Sequence, residues 1–330
     1  MDGSPQENRV RSKRQTLFVQ GIQKTGTSTL VGILNCHPEV FILYETRLDR
    51  SLVSNYGNQL LERFPGARRF FRNTTDTAEP YVEFFDWLET QQPEFKYRFA
   101  GDKIIDFDPT LSQRDQHNKI IFTMRDLRSW LCKEQIVRYY RTDLDVVPPA
   151  IEFLKYVIGT FKVADGYRVW LEDLIQSNSK VITGLSGFLG LELGEHTEAW
   201  WDQISQRDAK DPKQCIGWHK GHPSSNLAPR GLDTSFKIRM NGFWEQVTPL
   251  MEKYRNVSGT VDPLEIESDL ELVESLRSSH PLPLQDCYES MSTTRLGMSP
   301  ATSNVEPPKP AIARRSFSKR VRKLFRLGRA

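Results

Sequence analysis

"LFVQGIQKTGTSTLVGIL", Leu17 to Leu34, sets an apolar run on each side of a short polar loop bounded by glycines. A nucleotide-triphosphatase loop reads G-x-x-x-x-G-K-[ST]. Gly21 and Gly26 keep that spacing, but Thr27 stands where the lysine belongs, and Lys24 sits inside the loop instead. A glycine loop between a strand and a helix turns backbone N–H groups toward a phosphate, and the helix N-terminus adds partial positive charge. Gln23, Lys24, Thr25, Gly26, Thr27 and Ser28 are therefore the expected anion cradle. A lysine within the loop can lie over a breaking bond and neutralise charge on a leaving phosphate oxygen. The bland alternative is a tight turn followed by an ordinary helix cap.

Outward from the loop, strands and helices alternate. Residues 16–20 read as a buried strand and 27–37 as a helix with Leu30, Ile33 and Leu34 on one face. His37-Pro38 is expected to end that helix, because the residue before proline avoids helical geometry. Residues 40–45, 103–108, 119–126 and 167–174 are further strand candidates. Residues 47–64, 80–91, 127–141, 149–164 and 182–193 are expected to be helical, the last ending near Gly190. This alternation predicts an α/β protein: one domain over 16–256 with a central parallel sheet flanked by helices. A flexible arm, 1–15, precedes it. An acidic, then Pro/Ser-rich linker is expected over 257–310, where six acids fall between Asp262 and Glu274. A basic amphipathic tail, 311–330, ends the chain as a flexible extension.

Composition narrows the class. The 330 residues are 38% apolar and 26% charged, ordinary for a soluble globular protein. No apolar run approaches a membrane span, and the N-terminus has no apolar core of a secretory signal. Cys36, Cys132, Cys215 and Cys287 lie far apart, with neither metal spacing nor a disulfide framework. Reduced thiols in a cytoplasmic protein, and no metal site, are the expectation. The net charge of +3 hides an asymmetry: nine basic residues and no acid lie between Lys309 and Arg329. The tail is thus strongly basic and the body mildly acidic. Phe317, Val321, Leu324 and Phe325 fall on one helical stripe ringed by arginine and lysine. Such a helix can lie in an anionic membrane surface, so peripheral membrane association is an expected partner interaction. A disordered tail, or one folded back on the acidic stretch, are the alternatives. Nucleic acid is not an expected partner.

"KTGTST" followed by "LNCHPEVFILYE" resembles the 5′-phosphosulfate loop of sulfotransferases, which use 3′-phosphoadenosine 5′-phosphosulfate as sulfuryl donor. In that family a strand ending in arginine, then a helix, holds the donor's 3′-phosphate. "KIIFTMRDLRSWLCK" is similar, with Arg125 as the match. "YRVWLEDL" then "GFLGLEL" resemble two further family segments, and "CIGWHKGHP" is similar to the C-L-G-x-x-K-G-R loop of the carbohydrate, heparan-sulfate-type branch. The resemblance covers about residues 16 to 256. It implies a P-loop-like sulfotransferase fold, the phosphosulfate donor as co-substrate, and Lys220 and Gly221 among the donor-binding residues.

The chain departs from the pattern at four places. Lys133 replaces a serine usually found eight positions after the arginine, and can meet the 3′-phosphate only as a point charge. His222 replaces the arginine of K-G-R. Only Lys103 survives of the K-[ST]-P-x-Y segment, and no second cysteine precedes Cys215. The implied reaction is in-line sulfuryl transfer to a hydroxyl or amine of a small-molecule or glycan acceptor, in which the protein mostly positions groups and neutralises charge. The resemblance makes Glu45 the base, Lys24 the cation on the leaving oxygen, and Lys103 a second lysine near the sulfuryl group. His37 resembles a structural H-P turn rather than a base. Arginines and aromatics over 47–72 could face an anionic glycan or simply form a solvated basic surface. Two other readings compete: an ATP-dependent P-loop kinase, with "KIIDFD" supplying a magnesium aspartate, and a catalytically degenerate nucleotide-binding scaffold at membranes.

Overall fold

The computed structural model describes residues 14–93, 96–105, 118–131, 133, 135–136, 146–197, 241–257 and 259–279. Its centre is a five-stranded sheet: β1 (Gln15–Gln20), β2 (Val40–Tyr44), β3 (Phe99–Ile104), β4 (Asn118–Met124) and β5 (Tyr167–Trp170). The strand order is β2-β3-β1-β4-β5, and every neighbouring pair is parallel. Strands of such a sheet are covered on both faces, which is why β1 and β2 read as near-continuous apolar runs rather than alternating ones. The chain leaves β1 toward β2 and β3 on one side, while β4 and β5 lie on the other. The carboxyl end of β1 is thus a topological switch point, the place where open α/β sheets bind ligands.

The helices are α1 (Thr27–Leu34), α2 (Asn55–Arg63), α3 (Glu79–Gln91), α4 (Leu127–Leu131), α5 (Val147–Gly159), α6 (Leu171–Gln176), α7 (Asn178–Leu189), α8 (Gly194–Thr197), α9 (Asn241–Asn256) and α10 (Pro263–Ser279). They bury the sheet in two apolar clusters. One joins the sheet to α1, α2, α3 and α7 and includes Leu17, Phe18, Leu30, Phe84 and Leu185. The other gathers Met124, Trp130, Phe153, Phe243 and Val273 between α4, α5, α9 and α10. Gly190, left-handed at φ 63°, ends α7 at the expected place.

Several boundaries differ from the sequence expectation, each for a local reason. α1 stops at Leu34 rather than His37, because the Asn35 amide turns to the sheet, donating to the Ile42 carbonyl at 2.9 Å and accepting from the Ile42 N–H at 2.8 Å. The helix expected over 47–64 starts only at Asn55: Glu45 and Arg47 hold left-handed backbones, and the Ser54 hydroxyl caps the Gly57 N–H at 2.9 Å. β3 begins four residues before the expected 103–108 strand and ends at Ile104. The 167–174 strand stops at Trp170, where Glu172 and Asp173 open α6, as acids favour a helix start. α4 covers the first turn of the expected 127–141 helix, residue 133 is not helical, residues 135–136 are, and the rest of that stretch lies outside the described residues.

The largest difference concerns the expected linker from residue 257. Residues 263–279 form the 17-residue helix α10, which buries Ile266, Val273 and Leu276. Its acids are held by lysines of the body: Glu267 by Lys162 at 2.6 Å, Glu265 by Lys253 at 2.7 Å, and Glu274 by Lys155. The acidic run is one face of a docked helix. The Pro/Ser-rich remainder of that stretch and the tail 311–330 lie outside the described residues, as do Lys220, Gly221 and His222.

Candidate functional site

The loop after β1 is locked from beneath. The Gly21 N–H donates to the Ile104 carbonyl at 3.1 Å, and a Cβ at Gly21 would fall 2.2 Å from Thr123 Oγ1. Only glycine fits there. Thr25 Oγ1 lies 2.8 Å from the Ile22 carbonyl and 2.8 Å from Thr123 Oγ1, tying the loop to β4. Gly26, at φ 101°, precedes α1 in a backbone that side chains avoid. Lys24 adopts the left-handed region at φ 69° despite its side chain. Its carbonyl accepts from Arg125 Nη1 at 3.2 Å, and that of Gln23 from Trp130 Nε1 at 2.7 Å. Across a planar trans peptide the N–H opposes the C=O, so the Lys24 N–H points away from Trp130.

Beside the loop, the ends of β2 and β3 bring a carboxylate and an ammonium together. Lys103, 2% exposed at the end of β3, lies 2.6 Å from Glu45 Oε1 and donates to Ser28 Oγ at 3.0 Å. Its ammonium stands 4.2 Å from the centre of the Tyr44 ring, and the Tyr44 hydroxyl donates to the Ser28 carbonyl at 3.0 Å. Burial lowers the Lys103 pKa; Glu45 and Asp102 oppose this, and Lys24 adds to it. Desolvation also lowers the Lys24 pKa, against the pull of Glu45. Both lysines therefore feel one carboxylate, and Lys103 also feels Lys24.

The turn that aims Glu45 is stapled by a buried acid. Asp102 accepts from Thr46 Oγ1, the Arg47 N–H and the Tyr81 hydroxyl, each at 2.9 Å, and from the Lys103 N–H at 2.8 Å. The Glu45 N–H donates to the Lys103 carbonyl at 3.2 Å, and Ser54 Oγ donates to the Glu45 carbonyl at 2.7 Å. Non-glycine residues at φ 51° and 56°, Glu45 and Arg47, persist only where surroundings over-determine them. Burial pushes the Asp102 carboxyl up to about 6, with these hydrogen bonds acting in the opposite direction.

Arg125, 2% exposed at the end of β4, is set by Ser129 Oγ, which accepts from Nε at 3.0 Å and Nη2 at 2.8 Å. The structure thus brings Gln23, Lys24, Thr25, Gly26, Thr27, Ser28, Glu45, Lys103 and Arg125 to the carboxyl ends of β1, β2, β3 and β4. Lys133 follows α4, its N–H on the Trp130 carbonyl at 3.1 Å. Tyr44, Asp102, Ser129 and Trp130 are contributors that motif spacing did not reveal. Among the described residues no group of three or more His, Cys, Asp or Glu could hold a metal ion, and no helix is long and apolar enough to cross a membrane.

No family model matches the chain, and no curated protein matches it. Solved structures do. A sulfotransferase domain from the curacin biosynthetic pathway is 15% identical, covers 82% of this chain and 99% of its own, and superposes with a TM-score of 0.42. A sulfotransferase domain from the Synechococcus PCC 7002 olefin synthase is 16% identical over 82% and 97%, with a TM-score of 0.35. Retinol dehydratase, solved with androsterone and the inactive cofactor PAP, is 12% identical over 75% and 82%, with a TM-score of 0.37. These superpositions are too loose to align side chains, so the chemistry rests on the residues described above.

Proposed function

We propose that the chain is a sulfotransferase moving a sulfuryl group from 3′-phosphoadenosine 5′-phosphosulfate to a hydroxyl or amine. The observation that carries this reading is the Lys103–Glu45 pair at 2.6 Å, beside Ser28 and a glycine loop that holds its lysine internally. The loop receives the 5′-phosphosulfate, and Arg125 receives the 3′-phosphate. The acceptor oxygen or nitrogen attacks sulfur and gives its proton to Glu45. The bond from sulfur to the bridging phosphate oxygen breaks, and its electron pair leaves on adenosine 3′,5′-bisphosphate. Lys24 neutralises the leaving oxygen, and Lys103 the sulfuryl oxygens. Fixed cations in a partly dry site do this with little reorganisation. A P-loop kinase would need a lysine after Gly26, where Thr27 stands.

The acceptor is a small molecule or a glycan, the latter following the resemblance of 215–223 to the carbohydrate branch. The basic tail is the peripheral membrane anchor of a cytoplasmic enzyme. Thermal unfolding tests the donor. Adenosine 3′,5′-bisphosphate should raise the melting temperature without magnesium. Stabilisation by magnesium-ATP alone would defeat the reading. Radiolabelled donor offered to an acceptor library identifies the acceptor, and a donor that binds without labelling any acceptor indicates a scaffold.

A further inference from the structure

The expected serine eight residues after Arg125 is absent, yet the arginine has a serine partner at another position. Ser129 Oγ accepts two hydrogen bonds from the guanidinium, from Nε at 3.0 Å and Nη2 at 2.8 Å. Its backbone N–H is taken by Asp126 Oδ1 at 2.8 Å. A hydroxyl offers two lone pairs and one proton. With both lone pairs turned to the guanidinium, the proton is what the Ser129 oxygen has left to give, and Ser129 is only half-buried. A hydroxyl donor beside a fixed cation suits an anion with several acceptor oxygens, as in a phosphate ester. A carboxylate at this position would orient Arg125 equally well but would neutralise it. Serine orients it without adding a negative charge of its own.

We propose that Ser129 completes the 3′-phosphate site with Arg125, fixing the plane of the guanidinium and donating its own O–H to a phosphate oxygen. This rests on the sulfuryl-donor reading above. Lys133, at the position of the missing serine, adds charge without fixing orientation.

Calorimetric titration of the full chain with adenosine 3′,5′-bisphosphate and with adenosine 5′-phosphate tests this without an acceptor. The wild type should prefer the bisphosphate. Ser129→Ala should lose about tenfold or more of that preference, the scale of a hydrogen bond to a charged group. Its affinity for the monophosphate should stay within about threefold. Ser129→Thr should restore the preference, and Lys133→Ala should lower it less and in a salt-dependent way. If Ser129→Ala melts low without ligand, Ser129→Thr against Ser129→Val decides, since the two match in shape and differ in the hydroxyl. A preference kept in the Ala and Val variants, or an equal loss for both nucleotides, overturns the role of Ser129. A wild type without any preference instead overturns the donor reading itself.

Discussion

Lys24 and Glu45 stand on backbones that side chains seldom adopt, held there by Arg125 on one and by Asp102 and Ser54 around the other. Lys24→Ala should lower sulfuryl transfer by about a hundredfold or more, the scale of losing one transition-state donor, and weaken the bisphosphate product less. Unchanged turnover would remove Lys24 from the reaction. Glu45→Gln keeps shape and hydrogen bonding but cannot take a proton; donor binding by calorimetry should survive while transfer nearly vanishes. Asp102 gives a pH signature. Its folded value of about 6 exceeds its ordinary 3.8, so the folded state binds the proton more tightly. That contribution to stability is full below about pH 4 and is lost as pH rises through about 6. Denaturant titrations should show wild type gaining on Asp102→Asn by about 2–3 kcal/mol between pH 7 and pH 4. A difference that does not vary with pH would place the carboxyl in the ordinary range.

Elements were legible where one signal dominated. The glycine-bounded loop between two apolar runs located β1, α1 and the turn that joins them, because spacing and strand-to-helix context are both local. The reading failed where a distant partner decides the structure. Asn35 ends α1 early through its bonds to Ile42, and nothing near Asn35 announces that strand edge. Lys103 looked like the entry to a strand because its apolar neighbours follow it. β1 on one side and β2 on the other instead draw Phe99–Ile104 into the sheet, which makes Lys103 a buried strand end. In α10 the acids masked Ile266, Val273 and Leu276, spaced seven and then three residues apart, a helical stripe that needs lysines 155, 162 and 253 opposite it to be worth forming. Ile266→Ala should therefore cost about 2–5 kcal/mol in chemical denaturation, the range for truncating a core isoleucine. A cost near zero would mean that α10 adds nothing to the fold.

Across the whole molecule, the proposed ends of the donor are read from opposite sides of the central strand. Glu45 and Lys103 come with β2 and β3, and Arg125 with β4. Deleting residues 311–330 should leave bisphosphate binding intact, because every donor motif lies before Pro223. The same deletion should abolish sedimentation with anionic liposomes, which in the full chain should weaken with salt. A full chain that ignores such liposomes at low salt would end the membrane proposal. The sheet order also bears on how the protein comes into being. β1 is made early, yet its neighbours are β3 and β4, and Thr16 meets Asn118 only 102 residues later. During synthesis the strand "TLFVQ" must wait, several seconds at about 5–20 residues per second, with its apolar side chains and both hydrogen-bonding edges unpaired. Pairings this remote in sequence make folding slow. The nascent chain is therefore most exposed to aggregation, and most in need of a chaperone, in the interval before β4 emerges.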